Sequence, residues 1–124
     1  MGTTRQIRKR KFGTPERKPQ IRLICATIGP GKAHLLSLIA EEHSISEAAR
    51  HMKMSYKRAW QLIEAMNSCF REPLVESMVG GSHGGGSQLT RTGKQVLAMY
   101  DALCEKSLAA GAKELKRLHG LLKL

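Results

Sequence analysis

The chain has 124 residues, 41% of them apolar and only 4% aromatic, which allows one small aliphatic domain and an extension. Its formal net charge of +11 favours a polyanionic partner. No apolar run approaches the ~20 residues of a membrane-spanning helix, and the basic N-terminus lacks the apolar segment of a secretory signal, so we expect a cytoplasmic protein with no membrane partner.

The positive charge is concentrated at the N-terminus, where residues 1–19 hold seven of the 21 basic side chains and one carboxylate, Glu16. This stretch has no hydrophobic periodicity and is interrupted by Gly13, Pro15 and Pro19, so it predicts a flexible arm. Such an arm either binds phosphates or is an inert solvated tail, and the sequence leaves both readings open.

A domain is predicted over residues 20–92, and it begins with a short strand and a helix. Residues 20–25 alternate in polarity and contain β-branched side chains, which favours the strand. Pro30 suits the first turn of a helix, and apolar residues at helical spacing extend that helix to Glu42. These apolar residues are Leu35, Leu36, Leu38 and Ile39.

Residues 44–67 carry the most informative pattern, a short helix, a tight turn and a longer helix. The first helix begins at Ser44 or Ser46, and Ser44 and Glu47 have the spacing of a capping box. Its inner face consists of Ala48, Ala49 and Met52. The arrangement is typical of a helix-turn-helix, whose second helix enters the major groove of DNA.

The second helix is predicted from about residue 55 to residue 70, because Pro73 ends it. Its buried side is one apolar stripe, formed by Ala59, Ile63, Met66 and Phe70 and widened by Leu62. Trp60 is expected to lie nearer the core and to pack there. The other side presents donors for base edges and phosphates, which are Ser55, Tyr56, Lys57, Arg58 and Gln61. A merely solvated helix face is the alternative for these side chains.

Residues 74–78 and 88–89 are predicted to pair as a hairpin across a loop with five glycines, which permit a close approach to a surface. We interpret this hairpin as a thin wing that lies along the DNA backbone. The wing residues expected to contact DNA are Gly81, His83, Gly84 and Gly85. His83 either donates to DNA or is an exposed loop histidine. The glycine spacing does not fit a nucleotide-binding phosphate loop.

Thr90 or Thr92 is expected to cap a long C-terminal helix over residues 93–124, with a weak point at Gly111. A helix of ~25 residues reaches ~37 Å, more than this small domain needs, so a second copy of the chain is the simplest cover for its apolar face. The residues expected at this dimer interface are Val96, Leu97, Tyr100, Leu103, Cys104, Leu108 and Leu115. The competing account packs the same stripe on the domain's own first helix.

Three residues outside the second helix, Ser46, Thr90 and Arg91, are expected to hold phosphates, partly through helix N-termini. The five histidines do not share metal-ligand spacings with cysteines or carboxylates, so we expect no metal and no cofactor. No catalytic arrangement of Ser, His, Cys and Asp stands out, so we expect no enzyme. The three cysteines are far apart in sequence, and we expect no disulfide.

These residues resemble a known family. The segment 29–103 closely resembles the N-terminal DNA-binding domain of the ModE-type molybdate-responsive regulators, and more loosely the winged helices of LysR-type regulators. The matching strings are SIS-EAAR (44–50), MSYKRAW (54–60), EAMN (64–67), PLVE (73–76), GG-HGGG (80–86) and LTRTGKQVL-YDAL (89–103). The resemblance implies a dimeric transcriptional regulator that reads inverted repeats.

The chain departs from that family in two respects. Family members that sense molybdate carry a C-terminal pair of oxyanion-binding domains, for which this chain leaves no room, so no molybdate is expected to bind it. The turn position that is often glycine in helix-turn-helix proteins lies near Lys53 here.

The predicted fold is mainly α: a winged helix-turn-helix with a short N-terminal strand, a three-helix core, a two-stranded glycine-rich wing and a long C-terminal dimerisation helix. The predicted function is sequence-specific transcriptional regulation by a homodimer that binds double-stranded DNA at inverted-repeat sites. Two alternatives stay open, a sequence-tolerant architectural DNA-binding protein and a protein-interaction module with vestigial DNA binding.

Overall fold

The structure, a computed structural model, describes residues 21–22, 27–78 and 85–123. It begins with a short antiparallel ribbon in which β1 (Ile21–Arg22) pairs with β2 (Thr27–Ile28). The strand predicted over residues 20–25 is present at Ile21–Arg22, and the rest of it lies outside the described residues, whereas the pairing with β2 was not predicted. A lone strand leaves its backbone N–H and C=O groups without partners, and β2 supplies them.

Three helices follow, α1 (Pro30–Glu42), α2 (Ile45–His51) and α3 (Tyr56–Cys69). Pro30 occupies the first turn of α1, as predicted. Ser44 caps α2 and Ser55 caps α3, and each serine Oγ accepts a hydrogen bond from the backbone N–H three residues on, at 3.1 and 3.0 Å. Ser44 rather than Ser46 is therefore the cap of α2.

The core between these helices is aliphatic, and the predicted stripes form it. The buried residues of the three helices are Ala33, Leu35, Leu36, Leu38, Ile39, Ala48, Ala49, Ala59, Ile63 and Met66. Phe70, Met52 and Leu62 pack against this cluster while partly exposed. Because α2 contributes only small alanines to the buried core, it packs closely against both α1 and α3 and fixes the motif.

Two turns of the motif place a residue other than glycine in the left-handed region. His43 ends α1 with φ of 55°, and Lys53 lies in the helix-turn-helix turn with φ of 57°. The turn is held by backbone bonds from Lys53 to Arg50 at 3.1 Å and from Met54 to Ala49 at 3.0 Å. The turn therefore keeps its geometry without glycine, at a cost in backbone strain.

The wing is an antiparallel hairpin of β3 (Val75–Ser77) and β4 (Ser87–Leu89), in which Val75 lies opposite Leu89. This confirms the predicted pairing. The N–H of Ser87 donates to the His43 carbonyl at 3.0 Å, and a Cβ at Gly86 would collide with that carbonyl. The wing is thus attached to the end of α1. The loop residues Gly81, His83 and Gly84 lie outside the described residues.

The C-terminal helix is divided into α4 (Arg91–Ala110) and α5 (Ala112–Leu121). Thr90 caps α4, which therefore begins two residues earlier than the predicted boundary at 93. Gly111 is the break, as predicted. Backbone bonds still cross it, from Gly111 to Ser107 at 2.9 Å and from Leu115 to Gly111 at 2.8 Å.

One face of α4 and α5 changes its burial along the chain. Tyr100 and Cys104 are 6% and 0% exposed and belong to the core of their own protomer. Leu108 and Leu115 are half-buried. The face then ends in Leu118 and Leu122, which are 59% and 47% exposed. No helix in the described ranges is long and apolar enough to cross a membrane.

Two expectations about side chains are wrong, one in α4 and one at the end of α3. Tyr100 and Cys104 were expected at the dimer interface, but α4 packs on α1 and they fill the domain's own core, as the competing account held. Val96 and Leu97 also pack partly against that core. Cys69, at the end of α3, is disulfide-bonded, against the expectation of no disulfide, whereas Cys104 is a buried thiol of the core. Separation along a sequence does not fix distance in the fold.

Candidate nucleic-acid interface

The first two turns of α3 form an exposed basic surface. Tyr56, Lys57, Arg58 and Gln61 are all exposed. Lys57, Arg58 and Gln61 lie on the side of the helix away from the buried stripe, and Tyr56 lies on the flank between the two. Lys57 and Arg58 supply two positive charges to this surface, and the first carboxylate of the helix is Glu64. With Ser55 at its start, the structure therefore brings the five predicted donors to one end of this helix, the end that a helix-turn-helix directs into the major groove.

Ser55 starts this surface and has a structural role of its own. Its Oγ accepts the hydrogen bond from the N–H of Arg58, which fixes where α3 begins and in which direction Lys57 and Arg58 point. The cap uses a lone pair of the oxygen, so the hydroxyl proton stays available for a phosphate oxygen.

Trp60 does not lie where the sequence predicted. Its side chain is 45% exposed, and Tyr56, one turn earlier, is 53% exposed. Trp60 lies about 90° around the helix axis from the middle of the buried stripe. At such a position the spacing of apolar residues does not decide whether a side chain is buried or exposed. The expectation that Trp60 packs in the core is wrong.

Asn67 fixes the wing against α3, a role the sequence reasoning missed. Its Oδ1 accepts from the N–H groups of Leu74 at 2.8 Å and Val75 at 3.3 Å, and its Nδ2 donates to the Val75 carbonyl at 3.3 Å. One amide side chain thereby satisfies three backbone groups at the start of β3. The available signal was an Asn in the last turns of an amphipathic helix, just before a predicted strand.

Thr90 is occupied by the fold. Its Oγ1 accepts from the Gly93 N–H at 2.9 Å and donates to the Pro73 carbonyl at 2.6 Å. Because the single hydroxyl proton is used within the protein, the expected phosphate contact of this hydroxyl is wrong. A Cβ at Gly93 would collide with the Leu74 carbonyl, so this junction of α4 and β3 admits only glycine without a shift.

Arg91 and Ser46 are exposed, as a contact with phosphate requires. Arg91 shares a shallow surface pocket of about 280 Å³ with Glu72 and Glu76. Gly85 is exposed at the base of the wing loop, and a Cβ there would stand 2.9 Å from the Met78 carbonyl. These three positions lie outside the α3 surface to which Lys57 and Arg58 belong.

Metal binding has no support among the residues that the structure describes. Within them, no group of three or more His, Cys, Asp or Glu side chains is arranged to hold a metal ion. Two exposed pairs in this part of the chain are Arg50 with Glu47 at 3.0 Å and the imidazole of His51 with Glu42 at 3.5 Å. Exposed pairs of this kind contribute little to stability.

Comparison with known proteins agrees with this geometry. Residues 32–94, from α1 to the start of α4, match the model of the bacterial regulatory helix-turn-helix proteins of the lysR family. The match covers the helix-turn-helix, the wing and the glycine at the α4–β3 junction.

Similar full-length proteins are longer than this chain. The chain is 47% identical over 72 residues to the molybdenum transport protein ModE of Azotobacter vinelandii, covering 58% of this chain and 27% of that protein. It is 43% identical over 76 residues to the transcriptional regulator ModE of Haemophilus influenzae, covering 61% and 30%. It is 42% identical over 76 residues to the DNA-binding transcriptional dual regulator ModE of Escherichia coli K12, covering 61% and 29%. The matched part spans less than a third of each relative.

Proposed function

This chain belongs to the lysR family of bacterial regulatory helix-turn-helix proteins, and from that premise we propose that it regulates transcription by binding specific sites in double-stranded DNA. The observation that carries the proposal is the exposed, basic start of α3, held in place by the Ser55 cap and by the Asn67 hydrogen bonds to the wing. A helix so oriented presents donors to base edges in the major groove.

The proposed roles follow from the chemistry of each side chain. Lys57 and Arg58 donate to guanine O6 and N7, and the Gln61 amide pairs with adenine. Ser55 donates its free hydroxyl proton to phosphate. The sites proposed to position the protein on the backbone are Ser46, Tyr56, Gly81, His83, Gly84, Gly85 and Arg91. The first relative is named for molybdenum transport, and our proposal for this chain is limited to DNA.

The proposal includes a homodimer that binds inverted repeats. Support comes from exposed aliphatic side chains in and directly after the C-terminal helices, which the described protomer covers only in part: Met99, Leu103, Leu118, Leu121 and Leu122. Together with the half-buried Leu108 and Leu115, they offer a self-complementary surface. Two recognition helices related by a two-fold axis would read two half-sites.

A sequence-tolerant DNA-binding protein is the second candidate, and the charge distribution favours it. Residues 1–19, outside the described residues, hold a third of the basic side chains and contact any duplex equally if they bind phosphates. Removal of residues 2–19 then weakens binding to all sequences alike and flattens the salt dependence by ~0.9 in log–log slope per phosphate contact. Unchanged affinity and slope at low salt identify the arm as an inert tail.

Selection of bound sequences from random duplex DNA separates the two candidates. A sequence-specific regulator enriches one site, and Arg58→Ala lowers affinity for that site by ~1–3 kcal/mol while non-specific binding falls much less. Arg71→Ala, which removes the same charge from the exposed loop after α3, is the matched control. Equal losses on all sequences for Arg58→Ala reassign this residue to phosphate contact.

The dimer has its own test in sedimentation. Leu103→Asp combined with Leu118→Asp is expected to shift the protein from dimer to monomer at tens of micromolar, because charges would enter an apolar interface. Ala109→Asp with Ala112→Asp adds the same charges to exposed positions on the opposite side of these helices and should leave the dimer intact. A wild-type protein that sediments as a monomer, with and without DNA, refutes the dimer.

A further inference from the structure

Two aromatic side chains stand exposed on the recognition helix α3. The described chain leaves seven large apolar side chains exposed, five of which are the aliphatic residues of α4 and α5. The other two are Tyr56 and Trp60, four residues apart and therefore neighbours on one side of the helix. Exposed Tyr and Trp are typical of binding surfaces, because they bury a large apolar area and lose little conformational freedom.

The position of the pair around α3 is defined by Asn67. Asn67 follows Trp60 by seven residues, roughly two turns, so both lie on nearly the same side of the helix. Asn67 faces β3, to which it donates and from which it accepts hydrogen bonds. Trp60 therefore lies on the flank of α3 toward the wing, beside the surface that presents Lys57 and Gln61.

The chemistry of this flank differs from that of the basic surface beside it. Lys57, Arg58 and Gln61 supply hydrogen bonds, which suit the polar edges of guanine and adenine. The indole and phenol rings instead offer apolar faces and edges. In the major groove the one apolar group on a base edge is the C5 methyl of thymine. An aromatic side chain on the flank of a helix lying in that groove is placed to reach such a methyl at the floor of the groove.

We propose, on the basis of the proposed function, that Trp60 is a specificity-determining residue that reads thymine through its C5 methyl group, while the hydroxyl of the neighbouring Tyr56 is left for phosphate. The indole ring covers the methyl and removes it from water, whereas cytosine at the same position presents no methyl. Trp60 thereby adds an apolar contact to the hydrogen-bond readout by Lys57, Arg58 and Gln61.

Deoxyuridine substitution tests this contact directly, because uracil pairs like thymine and lacks only the methyl. In the duplex enriched by selection, each thymine is replaced in turn by deoxyuridine. The wild-type protein is expected to lose about fourfold in affinity at one or two positions of each half-site, the factor for one buried methyl group. Trp60→Ala should bind the thymine and uracil duplexes equally at those positions.

Two variants serve as controls for the Trp60→Ala result. Gln61→Ala truncates an exposed side chain on the neighbouring surface of α3 and should keep the thymine preference, although its overall affinity falls. Trp60→Phe keeps an aromatic ring and should retain most of the preference. Because Trp60 is half-exposed, Trp60→Ala is expected to unfold near the wild-type temperature, which circular dichroism checks.

Several outcomes overturn the inference. The inference is wrong if the Trp60→Ala variant keeps the full thymine preference, or if this variant binds every sequence more weakly by the same factor. It is also wrong if the wild-type protein never distinguishes thymine from uracil at an enriched site. A selection that enriches no sequence refutes the proposed function and this inference together. An enriched site without a methyl preference refutes the inference alone.

Discussion

The two ends of one helical face have opposite environments in this protein. At the N-terminal end, in α4, the face is buried at Tyr100 and Cys104 against the three-helix core. At the C-terminal end, in α5, apolar residues recur at the same three- and four-residue spacing, yet α5 has no buried residue. A hydrophobic stripe thus becomes core only where another element covers it, and the same spacing beyond that element leaves a surface.

The largest expected effect on stability comes from truncation of a buried side chain of this face, compared with truncation of an exposed one. Tyr100→Ala should lower the free energy of unfolding by about 3–5 kcal/mol, because it leaves a cavity in a packed core. Leu118→Ala, at the exposed end, should change it by less than about 0.5 kcal/mol. Urea unfolding followed by circular dichroism measures both, at protein concentrations low enough to dissociate a dimer.

The concentration dependence of that experiment sharpens the comparison. If the exposed end of the face is the dimer interface, Leu118→Ala becomes destabilising as the protein concentration rises, whereas the cost of Tyr100→Ala persists at every concentration. A large loss for Leu118→Ala in dilute protein contradicts the comparison and places the distal helix against its own protomer.

Substitution of two glycines gives the next largest difference. Gly93→Ala, in the first turn of α4, brings a Cβ against the Leu74 carbonyl and should destabilise by about 1–3 kcal/mol. Gly120→Ala, in α5, meets no atom within 4 Å and should stabilise by about 0.5–1 kcal/mol through helix propensity. The same assay compares them. Equal effects of one sign would mean that the backbone of α5 is packed as closely as the first turn of α4.

The helix-turn-helix follows closely from sequence because its signals are local. The Ser44 and Ser55 caps, the stripe through Ala59 and Ile63, and the wing pairing each depend on residues within one element or one hairpin. Periodicity states which residues share a face, and caps state where a helix begins. Both kinds of information are contained in short stretches of chain.

The errors arise where the outcome depends on a distant element. Tyr100 and Cys104 have the spacing of an interface, but α1 covers them within the protomer. Trp60 lies at the edge of its stripe, where neither the core nor the surface is specified by spacing. The hydroxyl of Thr90 is consumed by Pro73, seventeen residues earlier in the chain. The disulfide of Cys69 likewise depends on the fold and not on cysteine spacing.

The smallest expected effect contrasts two backbone positions. In the helix-turn-helix, Lys53 adopts φ of 57° without being glycine, whereas at the break before α5 Gly111 adopts φ of −101°, which any residue tolerates. Lys53→Gly relieves ~1–2 kcal/mol of left-handed strain but adds ~0.5–1 kcal/mol of chain entropy to the unfolded state. The net expectation is a stabilisation of about 0.5–1 kcal/mol.

Two further variants separate the backbone effect from the effects of charge and helix propensity. Lys53→Ala removes the same charge and keeps the strain, so any stabilisation it gives measures charge alone. Gly111→Ala gains helix propensity, but its Cβ would stand 3.3 Å from the Ser107 carbonyl oxygen, so we expect a net change below about 0.5 kcal/mol. If Lys53→Ala stabilises as much as Lys53→Gly, the turn stores no backbone strain. The stability of neither the helix-turn-helix turn nor the break at Gly111 would then depend on a left-handed backbone, and the two regions would differ in side-chain packing alone.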